Sequence, residues 1–274
     1  MSRRPIPRIE LRQLRHLVLL SLAACSLSTD PVAPEGSTKV LFIGSSLVDA
    51  HDMPVTLRQL AISGGLPECY CLSIAYQDYE LDDHLANGDA LRALQSEEWD
   101  FVVLQQGPSA HVESRPHLVR GVSDWTKLIA ARGTQTILFM PWPALDSSFY
   151  FPAVIASYRF AADSIGAILA PAGEAWLAAW ARDPTLPFYG PNGYYPSEMG
   201  SYVAALVIFQ RIYGRSPVGV QSSAIVNGRV QSWPIAQVQL LQQAAADANA
   251  AEVARSGARL NTLRVPRLTI QASR

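Results

Sequence analysis

The sequence predicts an α/β protein built on a parallel sheet of five strands with helices on both faces. Three observations carry that prediction. Five short runs are apolar throughout rather than alternating, as strands buried on both faces are. Amphipathic stretches of helical period separate them. The ~235 residues that hold this alternation show no composition shift and no internal repeat, which suits one domain. Loops at the C-terminal ends of parallel strands line a crevice, so functional residues are sought in 44–52, 76–80, 105–115, 141–150 and 171–174.

The first residues read as a targeting segment. Arg3, Arg4, Arg8, Arg12 and Arg15 form a basic stretch opposed by Glu10 alone, followed by LVLLSLAA at 17–24. That apolar run is far below the ~20 residues that span a bilayer. Leu22-Ala23-Ala24-Cys25 resembles a bacterial lipobox, in which small residues admit a signal peptidase and the cysteine then carries lipid. Residues 1–24 are therefore expected to be a leader, and Cys25 a lipidated first residue. An uncleaved helix with a chance cysteine is the competing reading. Residues 25–37 (CSLSTDPVAPEGS) are polar with proline and glycine and read as a flexible tether to a domain over 38–274. The expected location is the bacterial cell envelope, with a membrane contact through the lipid on Cys25.

Losing the leader removes five of the 22 basic and one of the 23 acidic side chains, leaving 17 and 22, a net charge of −5. Nothing basic then points to nucleic acid as a partner. A monomer is expected.

The strands are placed at 40–43, 70–75, 101–104, 136–140 and 167–170, and the helices at 53–63, 81–94, 116–131, 151–164, 174–181, 199–213 and 234–254. Asp52 caps the first helix, with Pro54 in its first turn. Cys69 and Cys71 fall on one face of one strand, where a bond between them would be strained. They are read as two small buried residues.

Four segments in fixed order carry a family resemblance: LFIGSSLVDAHDMP, YQDYELDDHL, WDFVVLQQGPSAHVESR and YGPNGYYPSEMGSYVAALVIF. Together they resemble the SGNH (GDSL-type) hydrolase superfamily, in a bacterial lipoprotein-like branch, over residues 39–216. The resemblance implies a flavodoxin-like three-layer α/β/α sandwich and ester hydrolysis, often on acylated carbohydrates or lipids, with no cofactor or metal. In that family a serine attacks the acyl carbon, and an Asp-x-x-His loop supplies the base and its orienter. Backbone N–H groups and an amide side chain stabilise the oxyanion.

Carried over by position, the resemblance makes Ser46 the nucleophile, with Gly44, Gln77 and Gln106 at oxyanion or ligand-binding positions. Ser46 equally suits the N-cap of a following helix. Ser45 stands where Asp or Asn is usual, and bulky Gln77-Asp78 where small glycines are expected. Gln105 and Gln106 serve equally well to tie down loop backbone. In the last segment Asp and His are replaced by Asn192 and Tyr195. An amide cannot stabilise an imidazolium by charge, and a phenol titrates near ~10. Losing a triad member leaves only ~10³–10⁴ of rate over water. The expectation is an inactive or very weak SGNH-type protein that binds an acylated carbohydrate or other small ester.

The alternative is an active esterase in which His111 or His117, in or just after the third segment, serves Ser46 as base. A structural lipoprotein with no ligand is a third class. His84, after Asp82-Asp83, is read as a helix-surface pairing rather than a metal ligand. Glu174 is read as a helix-start carboxylate near the crevice, and Trp142, between two prolines, as a core plug. Tyr189, Tyr194 and Tyr195 would offer aromatic faces to a sugar.

Overall fold

In a computed structural model, the structure describes residues 33–263. The expected leader, Cys25 and the first part of the tether lie outside those residues, as does the end of the chain from 264 onward.

Five strands form one parallel sheet in the order β2-β1-β3-β4-β5: β1 (Thr38–Ser45), β2 (Cys69–Tyr76), β3 (Phe101–Leu104), β4 (Gln135–Phe139) and β5 (Ile168–Ala170). This is the flavodoxin-like order, whose direction reverses between β1 and β3. Side chains of a strand alternate between faces, so each strand feeds two cores. Val40, Phe42, Val103, Ile137 and Phe139 join α2 (Met53–Ser63), α7 (Ala172–Trp180), α8 (Glu198–Tyr213) and α9 (Ile235–Leu263) on one side. Leu41, Ile43, Val102, Leu104 and Leu138 join α3 (Leu81–Asn87), α4 (Asp89–Ser96), α5 (Arg115–Ala130) and α6 (Phe151–Ile165) on the other. The result is the expected three-layer sandwich.

Helix α8 is wholly buried from Ser201 to Phe209, and each large apolar side chain so buried is worth about 1.5–3 kcal/mol. It anchors the loop that precedes it. Four features differ from the sequence reading. The single helix expected over 81–94 is two helices, because Gly88 turns left-handed at φ 84° between them. A 3-10 turn (Leu145–Tyr150) and a short hairpin, β6 (Ile225–Val226) and β7 (Arg229–Val230), were not anticipated.

The fourth difference is a correction at Cys69 and Cys71, which are joined by a disulfide. Two residues of ideal strand span about 6.6 Å, but these Cα atoms lie 5.5 Å apart, within reach of a bridge. β2 is an edge strand with one partner, so it is free to contract locally where a central strand is not.

Candidate functional site

Parallel pairing brings Ser45, the last residue of β1, into register with Tyr76, the last of β2. The turn after β2 and the loop after β3 therefore rise beside the turn after β1, at the point where the strand order reverses. A recess of about 180 Å³ opens there, lined by Ser45, Ser46, Asp78, Tyr79, Glu80, Gly107 and Tyr194. A second hollow of about 310 Å³ shares Glu80, Gly107 and Tyr194 with it and runs on to His111 and Tyr150.

The Gly44-Ser45-Ser46 turn assigns the two roles considered for Ser46. Ser45 is the N-cap of the short helix α1 (Ser46–Asp49): its hydroxyl accepts from Leu47 N at 3.4 Å. Ser46 is left to face the recess, and its Oγ donates to Tyr195 Oη at 3.1 Å. The loop before α8 thus delivers Tyr195 onto the serine, across 149 residues of sequence. Asn192 does not reach the phenol. Its Oδ1 accepts from the backbone N–H of Tyr194 at 3.1 Å and of Tyr195 at 3.0 Å, so the amide shapes the loop. Trp142 is buried as expected, stacked on Trp176 at 3.7 Å, and its Nε1 donates to Tyr194 O.

Three of the expected ligand-binding positions stand elsewhere. Gly44 is buried and packs against Gln105, whose Oε1 would lie 2.7 Å from a Cβ at that position. Gly44 therefore admits the Gln105 side chain rather than a ligand. Gln77 is exposed, and its successor Asp78, at φ 59°, lines the recess. Gln106 is buried, its Oε1 accepting from Leu81 N at 3.2 Å where α3 starts, while Gly107 forms the wall. Gln105 is tied down as well: Oε1 accepts from Ser45 N at 2.8 Å and Ser45 Oγ at 2.9 Å, and Nε2 donates to Gln106 O.

The histidines proposed as a substitute base are occupied away from Ser46. His111 is exposed and meets Tyr150 edge-on at 4.8 Å. His117 is exposed on α5, with its Nδ1 against the Arg120 guanidinium. Among the described residues neither is bonded to the serine. His51 lies nearer the last loop, with Nε2 3.1 Å from Pro196 O, and it lines a separate groove with Tyr189, Asn192 and Tyr195.

His84 corrects the sequence reading. It is fully buried, with Nε2 2.8 Å from Gly44 O, rather than paired at the surface. Helical spacing gave the signal, since His84 follows the buried Leu81 by three residues and shares its face. Burial lowers its basicity below the ordinary imidazole value, against the Gly44 hydrogen bond. Burial raises the Tyr194 hydroxyl above the usual phenol range, with Tyr195 and Asp78 adding to it. Tyr194 therefore stays protonated and can donate to a ligand. Glu174, in the first turn of α7, is bonded to Arg159 at 2.7 Å and pushed up by burial, so it serves packing. Among the described residues no three His, Cys, Asp or Glu side chains gather to hold a metal, and no helix is long and apolar enough to cross a membrane.

No protein-family model matches the sequence, and no curated protein is similar to it. Solved structures are. A putative SGNH hydrolase from Slackia heliotrinireducens matches at 26% identity and TM-score 0.54, over 64% of this chain and 98% of that one. The chain has the fold of the SGNH hydrolases. A DUF4886 family protein from Bacteroides uniformis, 18% identical, superposes at TM-score 0.66 over 85% of this chain and 98% of its own. The lipase/acylhydrolase from Enterococcus faecalis shares the SGNH fold at 15% identity and TM-score 0.53, over 65% of this chain and 96% of that one. A shared fold fixes where the crevice lies; the side chains in it decide the chemistry.

Proposed function

We propose that the protein is an SGNH-fold binding protein with a degraded triad, which holds a small ester or acylated carbohydrate at Ser46 with little or no turnover. One observation carries the reading: Ser46 Oγ is bonded to the Tyr195 phenol, and the Asn192 amide is committed to backbone N–H groups. A serine becomes a nucleophile when a base takes its proton as it attacks. A phenol with no charged partner to orient it is a poor acceptor for that proton. Binding asks less. The recess presents hydroxyls from Ser46 and Tyr194, the Tyr79 ring, and the two acidic residues Asp78 and Glu80. Donors and acceptors next to an aromatic face suit a neutral, hydroxyl-rich ligand, and the carboxylates disfavour an anionic one. The likeness in fold to esterases supports the ester class.

The test is direct. The purified protein is exposed to a fluorophosphonate probe and to p-nitrophenyl acetate, alongside Ser46→Ala. Ester hydrolysis no faster than Ser46→Ala, with no probe on Ser46, is the expected result. Probe labelling and hydrolysis that both vanish in Ser46→Ala would establish a working esterase instead.

A further inference from the structure

We propose that His84 is a positioning residue that fixes the Gly44 carbonyl, and with it the turn that presents Ser46 to the recess. The functional importance of this role rests on the reading above, in which Ser46 belongs to the ligand site.

A buried carbonyl oxygen only accepts. Its contact with His84 Nε2 at 2.8 Å therefore places the ring proton on Nε2 and leaves Nδ1 bare. Nδ1 is buried with no hydrogen-bond partner among the described residues. An apolar side chain would fill the same place on α3 without stranding a nitrogen, so the polar atom that matters is the one on Gly44. A native group left unsatisfied calls for such an explanation.

The Gly44–Ser45 peptide is gripped on both edges. His84, from α3, holds its carbonyl, and Gln105, at the end of β3, accepts from its N–H at 2.8 Å. Two elements of the fold thus fix the plane of one peptide, and Ser46 follows directly from it. The grip is itself braced. The imidazole lies stacked on Tyr76 at 5.6 Å and meets Tyr79 edge-on at 5.1 Å, with Asp83 and Asp89 acting on it through space. Tyr79 also lines the recess, so a ligand seated there touches a ring that packs against the turn's anchor.

The experiment uses the whole protein. Imidazole ¹⁵N spectra of the wild type read the tautomer, and amide hydrogen exchange is compared in wild type, His84→Leu and His84→Gln. The expected tautomer is neutral and protonated on Nε2. In His84→Leu, exchange at Ser45, Ser46 and Leu47 should quicken at least about tenfold while Val40–Ile43 stays protected, and His84→Gln, which can still donate, should restore most of the protection. A ring protonated on Nδ1, unchanged exchange at the turn, or equal quickening through the whole sheet would each overturn the proposal. If His84→Leu does not fold, the tautomer and His84→Gln still decide. Binding of phenyl acetate to the same proteins separates the two readings. The expected exchange pattern with no ester bound by any variant would uphold the positioning role and sink Ser46 as a ligand site.

Discussion

The floor beneath Ser46 and the loop that faces it are built on different terms. In the floor, Gly44, Ser45, His84, Gln105 and Gln106 are all buried; His84 and Gln105 are bonded to one turn, and Gln106 to the start of α3. In the loop, Asn192 is exposed and Tyr195 half-buried, and what Asn192 contributes is a carbonyl oxygen to two backbone N–H groups. An aspartate oxygen would accept the same two bonds. The loop therefore keeps its shape whichever residue stands there, whereas a change in the floor strands a buried group. Side-chain chemistry and folded structure are separable on one side of this cleft and inseparable on the other.

The largest expected effect comes from re-equipping the loop. Asn192→Asp with Tyr195→His should raise kcat/KM on p-nitrophenyl acetate by about 10³-fold, with thermal stability changed by less than about 1 kcal/mol. A folded double variant with no gain would break the comparison, because the floor would then have lost its part of the chemistry as well. Next is Gly44→Ala. Its methyl would meet Gln105 at 2.7 Å (Oε1), 2.9 Å (Cβ) and 3.0 Å (the backbone oxygen), and overpacking of that kind costs about 3 kcal/mol in urea unfolding. A loss under about 1 kcal/mol would mean that the floor is softer than its burial implies.

The smallest effect is a pH dependence of the floor. Burial holds His84 below its ordinary value of 6.5. Between that lowered value and 6.5 the unfolded chain binds the proton and the native protein does not. Stability is therefore full above 6.5, falls with pH through this window, and is level below it. The difference in unfolding free energy between wild type and His84→Gln should shrink as pH drops below 6.5. A difference that stays constant from pH 7 to pH 5 would show His84 to be no more buried to protons than a surface histidine.

The sheet was legible because strands buried on both faces are written as unbroken apolar runs, as at Phe101–Leu104, where the bounds agree residue for residue. The Ser46–Tyr195 meeting was legible only through the order of the four segments; no local pattern joins residues so far apart. Gln105 was read as one of two glutamines that tie down loop backbone, but its target was hidden, since it bonds a turn at the end of β1, 60 residues earlier. His84 was written in helical spacing, but its charge-bearing neighbours Asp82 and Asp83 drew it toward the surface. Those neighbours turn outward, Asp82 to Arg120 and Asp83 to the N–H of Glu80. The cysteine pair was misjudged from ideal strand geometry, which an edge strand need not keep.

The Trp142–Trp176 stack gives the molecule an optical signature. Two indoles with centroids 3.7 Å apart and planes 15° from parallel are close enough for their strong transitions to couple, splitting a far-ultraviolet dichroism band in a way that isolated tryptophans do not. One indole of the pair is also hydrogen-bonded to Tyr194 O, in the loop beside the recess. A ligand that shifts this loop would perturb one indole of the pair, so the coupled band offers a test of occupancy that needs no dye, label or turnover.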